Sequence, residues 1–116
     1  MNISSGRLFS DNHPNLNKDW VVGEFVDDTN FNTDKFEFKF QHGKKGHYRE
    51  PKDVITENTR TIAILIYGKV RLQFPGGCDS VYIQREGEYI NWTPDRPHEF
   101  EFLEDSLVIT LRWDTT

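Results

Sequence analysis

The sequence predicts an all-β domain, a sandwich or barrel of short strands. Apolar and polar residues alternate with period two in several runs, most cleanly where Phe36, Phe38 and Phe40 are interleaved with Glu37, Lys39 and Gln41. Turn residues punctuate these runs at near-regular spacing, as at Pro75-Gly76-Gly77 and Glu86-Gly87. No stretch carries an amphipathic helix of convincing length.

Taken in order, residues 1–18 are rich in Asn, Ser and Asp and read as an irregular arm, leaving 19–116 as a single domain. Trp20–Val26 is the first predicted strand, interrupted by Gly23 and followed by turn residues at Asp27–Asn30. The Phe36–Gln41 alternation comes next. Extended by one residue, it puts His42 on the Phe face, and Gly43-Lys44-Lys45-Gly46 ends it. Residues 47–60 are the least regular and read as a long connection or a short covering segment. Thr61–Tyr67 is apolar on both faces, too short for a helix and rich in β-branched residues, so it reads as a strand buried on both sides. Gly68 marks a bend, after which Val70, Leu72 and Phe74 alternate with Arg71 and Gln73. Ser80–Arg85 and Glu88–Trp92 follow. A proline-clamped loop leads to His98–Leu103, and a tight Glu104-Asp105 corner to Ser106–Trp113. In the His98 strand, His98, Phe100 and Phe102 point one way and Glu99 and Glu101 the other, so the imidazole shares an apolar face. In the last strand the simplest reading turns Leu107, Ile109, Leu111 and Trp113 inward and leaves Arg112 in solvent; the inverted reading puts Arg112 in a cavity, where it could clamp a carboxylate.

A chain of 116 residues buries about two-thirds of its unfolded surface, enough for a core without disulfides or a structural metal. Nine Phe, four Tyr and three Trp supply much of that core. The net charge of −5 argues against nucleic acid and anionic membrane as partners, since both need a basic footprint. Lys44, Lys45 and Arg49 cluster, but Glu50 and Asp53 follow at once, as in a solvated loop. Cys78 is the lone cysteine, without a C-x-x-C neighbour, and the first residues show no apolar signal segment; together they predict a cytoplasmic protein. The sequence holds no dinucleotide, phosphate-loop, zinc-protease, nucleophile-elbow or EF-hand motif.

Gly87, Pro94 and His98 stand in the order of the second motif of the cupins, and Pro97 precedes the histidine as it often does there. Asp95 takes the place usually held by Gly. Ile62–Tyr67 followed by Gly68-Lys69-Val70 is similar to the close of the first motif. Over roughly residues 36–113 the chain thus resembles the cupin superfamily, which implies a double-stranded β-helix, or jelly-roll, barrel. The resemblance breaks at the metal site. Counting back from Gly68, the usual Glu falls on Thr61, and the usual histidines fall on Val54 and Thr56 or on Ile55 and Glu57.

His98 is the leading site candidate, as a ligand contact, an acid–base group or a metal ligand. His42, in phase with the Phe face, is a second ligand contact. Trp92 and Tyr89, on opposite faces of the strand before the proline loop, are aromatics for a ring or sugar face. These readings predict a protein that binds a small molecule in its barrel, with no cofactor assigned. One alternative is a divalent-metal enzyme of dioxygenase, isomerase or lyase type, with Fe, Zn, Mn or Ni held by His98, His42 and His47. Another is a non-catalytic structural or interaction domain with a filled barrel. The resemblance also implies a homodimer, for which the Trp20–Val26 edge is one pairing site.

Overall fold

A computed structural model describes residues 1, 3, 5, 20–24, 26, 29–49, 58–74, 80–92 and 98–115, apart from the side chain of Arg49. The proposed arm therefore lies outside the described residues except for Met1, Ile3 and Ser5, as do Cys78 and the proline loop of 93–97. The strands are β1 (Trp20–Val22), β2 (Glu37–Gly43), β3 (Tyr48–Arg49), β4 (Thr59–Tyr67), β5 (Val70–Gln73), β6 (Val81–Ile83), β7 (Tyr89–Trp92), β8 (Glu99–Phe102) and β9 (Ser106–Asp114). They form one sheet in the order β1-β2-β9-β4-β7 and a second in the order β3-β8-β5-β6, with antiparallel pairing between strands. This is the jelly-roll arrangement, in which the chain steps from one sheet to the other and back. Among the described residues no helix is long and apolar enough to cross a membrane.

Two segments depart from the sequence reading. The first strand stops at Val22, not Val26: Gly23 bridges to Asn32, whose amide donates to the carbonyls of Glu24 and Val26 and fastens the chain in a turn. Within the stretch read as a connection, Tyr48–Arg49 pairs with β8 as a two-residue strand, too short to show any alternation.

Residues directly opposite in an antiparallel pair share a face, so register decides what looks inward. Across the larger sheet, Glu37, Arg112, Thr61 and Trp92 form one inward row, and Lys39, Thr110, Ala63 and Ile90 the next. From the smaller sheet Val70, Leu72, Ile83, Phe100 and Phe102 meet Ala63, Leu65, Ile90 and Val108 in a core whose members are each at most 9% exposed. The expected inward face of β2 and β9 is thereby reversed. Phe38, Phe40 and His42 pair with Leu111, Ile109 and Leu107 on the outer face, while Arg112 looks in. Alternation marks two faces without saying which is inside. Here the outer face is the more apolar, because the interior of the larger sheet ends in a polar row.

Glycine shapes the closed end of the barrel. A Cβ at Gly43 would collide with the Phe102 ring, so the aromatic plug sits against bare backbone. Gly68 has φ 101° and abuts the Ser106 side chain. The Ser106 hydroxyl accepts from the Lys69 N–H at 3.0 Å and donates to the Glu104 carbonyl at 2.7 Å. That tie locks the β4–β5 turn to the β8–β9 corner.

Candidate functional site at the barrel mouth

Above the core, the inward positions divide into an aromatic wall and a polar wall. The aromatic wall continues the phases of three strands: Phe74 follows Val70 and Leu72, Trp92 follows Ile90, and His98 precedes Phe100 and Phe102. The His98 ring lies 5.1 Å from Trp92 and 5.4 Å from Phe74, and those two rings are 5.7 Å apart. All three are half-buried. Such edge and tilted contacts stabilise each ring pair by about 0.5–1.5 kcal/mol beyond simple burial.

The polar wall comes from β1, β2, β4 and β9. Arg112 donates from Nε and Nη2 to the same Glu37 oxygen, Oε2, at 2.8 and 2.6 Å. Its guanidinium carbon is 4.9 Å from the Trp20 ring centre, and Lys39 Nζ is 5.5 Å from the same ring. Lys39 is only 6% exposed. A ring flanked by two cations lowers the cost of holding them away from water. Beside this wall lies a hollow of about 370 Å³ lined by Glu24, Asp34, Glu37 and Asp114 along with Lys35 and Arg112. Neither His98 nor Trp92 lines it, so this space opens on the polar wall and away from the aromatic one.

Thr61 joins the two walls. It sits opposite Trp92 on one side and Arg112 on the other, is 3% exposed, and its hydroxyl has no hydrogen-bond partner among the described residues. Leaving a buried hydroxyl unsatisfied costs on the order of 1–3 kcal/mol.

The residues singled out from sequence are not all brought together. His98 and Trp92 meet at the mouth. His42 lies on the outer face, exposed, with its ring near Phe40 and Tyr67. Tyr89 is 63% exposed and faces outward opposite Ile64. His47 is at the other end of the barrel, where its carbonyl accepts the Phe102 N–H at 2.9 Å and its ring lies 5.9 Å from that phenylalanine. Phe102 is four residues from His98 along β8, a separation of about 13 Å. The set of His98, His42 and His47 therefore does not converge, because the phase of β2 and the length of β8 place its members on a different face and at a different end.

The residues present do not fit the metal site of the fold family. Among the described residues no group of three or more His, Cys, Asp or Glu side chains is placed to hold a metal ion. Where the resemblance to the cupins would put a carboxylate ligand stands the uncharged hydroxyl of Thr61. Glu50, Glu57 and the residues at the usual histidine positions lie outside the described residues. Phe74, Lys39 and Thr61 are residues of these walls that the sequence patterns do not mark as site residues. Phe74 had a usable signal, its phase with Val70 and Leu72, and Thr61 had the spacing to Gly68.

No family model matches the chain and no curated protein does so either. Solved structures do match. KdgF from a Halomonas species superposes with a TM-score of 0.57 at 20% identity, covering 72% of this chain and 74% of that one. An RmlC-like cupin protein from Desulfovibrio desulfuricans gives 0.58 at 14% identity, covering 70% and 74%. The Cupin_2 domain of an XRE family transcriptional regulator from Enterobacter cloacae gives 0.57 at 12%, covering 71% and 83%. An HTH_3 family transcriptional regulator from Vibrio cholerae gives 0.57 at 15%, and there the match spans 42% of the longer chain. At these identities the likeness establishes the fold alone.

Proposed function

We propose that this chain, whose fold is that of the cupin superfamily, binds a small molecule at the mouth of its barrel and does so without a tightly held metal. The observation that carries the reading is the unsatisfied Thr61 hydroxyl at the junction of the two walls. A ligand oxygen would supply the missing partner. Its ring or apolar body would lie against Phe74, Trp92 and His98, and a carboxylate or hydroxyl would turn toward Thr61 and Arg112. A few placed polar groups in a largely apolar recess is the usual composition of a small-molecule site. The Thr61 hydroxyl is closed off from solvent, so binding includes a rotamer change of a neighbour such as Trp92 or Arg112.

The second reading, a non-catalytic interaction domain, is favoured by the lower half of the barrel, where the fully buried side chains of Leu65, Leu72 and Phe102 occupy the interior. In two of the similar structures a domain of this shape belongs to a transcriptional regulator, a setting that suits a binding module. The lone cysteine agrees with a reducing, cytoplasmic compartment, and we take the chain to act as a homodimer.

A thermal-shift screen against hydroxy acids, sugar acids and aromatic acids tests the site. One class is expected to raise the melting temperature by several degrees, as binding to the native state requires, and Trp92→Ala and His98→Ala are expected to abolish the rise. A flat screen, or a shift that both variants keep, contradicts the proposal. Elemental analysis is expected to find far less than one metal per chain. A full equivalent of Fe, Zn, Mn or Ni that disappears with His98→Ala would overturn the metal-free reading and favour the metal enzyme.

A further inference from the structure

Two N–H groups of Arg112, on Nε and Nη2, donate to one Glu37 oxygen, Oε2. The parallel fork, with one bond to each carboxylate oxygen, is the stronger arrangement for such a pair. Here the other Glu37 oxygen, Oε1, takes no hydrogen bond among the described residues. The Arg112 and Glu37 side chains are 31% and 26% exposed, so a ligand can reach them. Arg112 stands in one inward row between Glu37 on β2 and Thr61 on β4. Turned one way, the guanidinium meets Glu37; turned the other, it meets whatever lies against Thr61. Neighbouring strands are about 4.8 Å apart, within the swing of an arginine side chain.

We infer that Glu37 is a latch on the mouth site and that the ligand it admits is a carboxylic acid. The inference rests on the mouth-site reading and assigns its ligand class. On binding, the ligand carboxylate takes over the two Arg112 N–H groups that Glu37 now holds, and the guanidinium turns toward Thr61. That turn also opens the way to the buried Thr61 hydroxyl. A neutral oxygen is a poor substitute, because charge-assisted hydrogen bonds are roughly twice as strong as neutral ones. The Trp20 ring, 4.9 Å from the guanidinium carbon, supports the cation while its partners exchange. Trp92 is two strands from Arg112, about 9.6 Å between backbones, so a ring joined to its carboxylate by a short chain spans the row. The hollow of about 370 Å³ that borders Glu37 gives the displaced side chain room, with Lys35 as a counter-charge. Glu24, Asp34 and Asp114 line the same hollow. Their charge keeps an anionic ligand on the Thr61 side and returns Glu37 to Arg112 when the ligand leaves.

Calorimetric titration of aromatic, sugar and hydroxy acids, each beside its primary amide, into native protein, Glu37→Gln and Arg112→Gln provides the test. In native protein the best acid is expected to bind about tenfold more tightly than its amide. A latch lowers apparent affinity by the fraction of molecules in which it stands open, so Glu37→Gln is expected to bind that acid about tenfold more tightly than native protein. Its affinity for the amide is expected to change less than about twofold. Arg112→Gln is expected to treat acid and amide alike. Where these variants fail to fold, Glu37→Asp, with a shorter reach to Arg112, is expected to tighten the acid about threefold, and Arg112→Lys, which loses the fork, to shrink the preference for acid over amide. A panel in which no acid or amide binds any of the folded proteins would end the mouth-site reading and this inference with it. An acid that needs Trp92 and His98 but binds Glu37→Gln no more tightly than native protein would overturn the latch and leave the site standing. Equal binding of acid and amide to native protein would overturn the ligand class.

Discussion

Thr61 bears a cost in the fold: its hydroxyl is buried, inward-facing and without a partner among the described residues. Valine has nearly the same shape and no polar atom. Thr61→Val is therefore expected to stabilise the free protein by about 1 kcal/mol, a rise of about 3–6 °C in melting temperature for a domain of this size. A loss of stability on that substitution would mean the hydroxyl is satisfied without ligand. Gly68 gives the opposite expectation. Its φ of 101° and the Ser106 side chain beside it leave no room for a methyl group. Gly68→Ala is expected to lower stability by about 1–3 kcal/mol, measurable by urea denaturation; an unchanged midpoint would show that the turn relaxes freely.

The polar outer face of the smaller sheet and its turns set much of the local order. Arg71 donates to Glu101, Glu99, Gln73 and Ser80 across β5, β8 and the start of β6. Burial works against its charge, but the hydrogen bonds and charges of Glu101 and Glu99 outweigh it and hold the guanidinium above its ordinary value. In the β6–β7 turn, Glu88 accepts the N–H groups of Gln84 and Arg85 at 2.9 and 2.8 Å, and those two bonds lower its pKa. A folded-state pKa below the unfolded one means that Glu88 stabilises the fold above the ordinary carboxylate range and stops doing so as pH falls through its lowered value. Glu88→Ala is therefore expected to melt earlier than the native protein at neutral pH and level with it in acid. A gap that persists in acid would show that the turn bonds are not the cause. β8 was legible in the sequence down to the side its residues face, because its inward positions are apolar and its outward positions acidic. β2 and β9 were legible only as alternations. Glu37, Lys39 and Arg112 are charges that the eye assigns to solvent, and the Glu37–Arg112 pair and the Trp20 ring beside Arg112 and Lys39 are what let them face inward. β3 has two residues and no pattern at all.

At the scale of the molecule, the order of strands and turns was enough to predict a sandwich or barrel, since Gly, Pro and alternation mark each strand locally, and the resemblance of Gly87, Pro94 and His98 to the cupins narrowed it to a jelly-roll. The site was only partly legible, because convergence depends on register between strands far apart in sequence. Register brings Phe74, Trp92 and His98 together and separates His98 from His42 and His47. It also gives the larger sheet two different faces, polar toward the mouth and apolar on the outside. The central claim is that a ligand oxygen completes the Thr61 hydroxyl between Trp92 and Arg112. Calorimetric titration of the best-stabilising acid into native protein and Thr61→Val tests it most directly. About tenfold weaker binding to the variant is expected, the loss of a hydrogen bond worth ~1.4 kcal/mol, and equal affinity for the two proteins would contradict it.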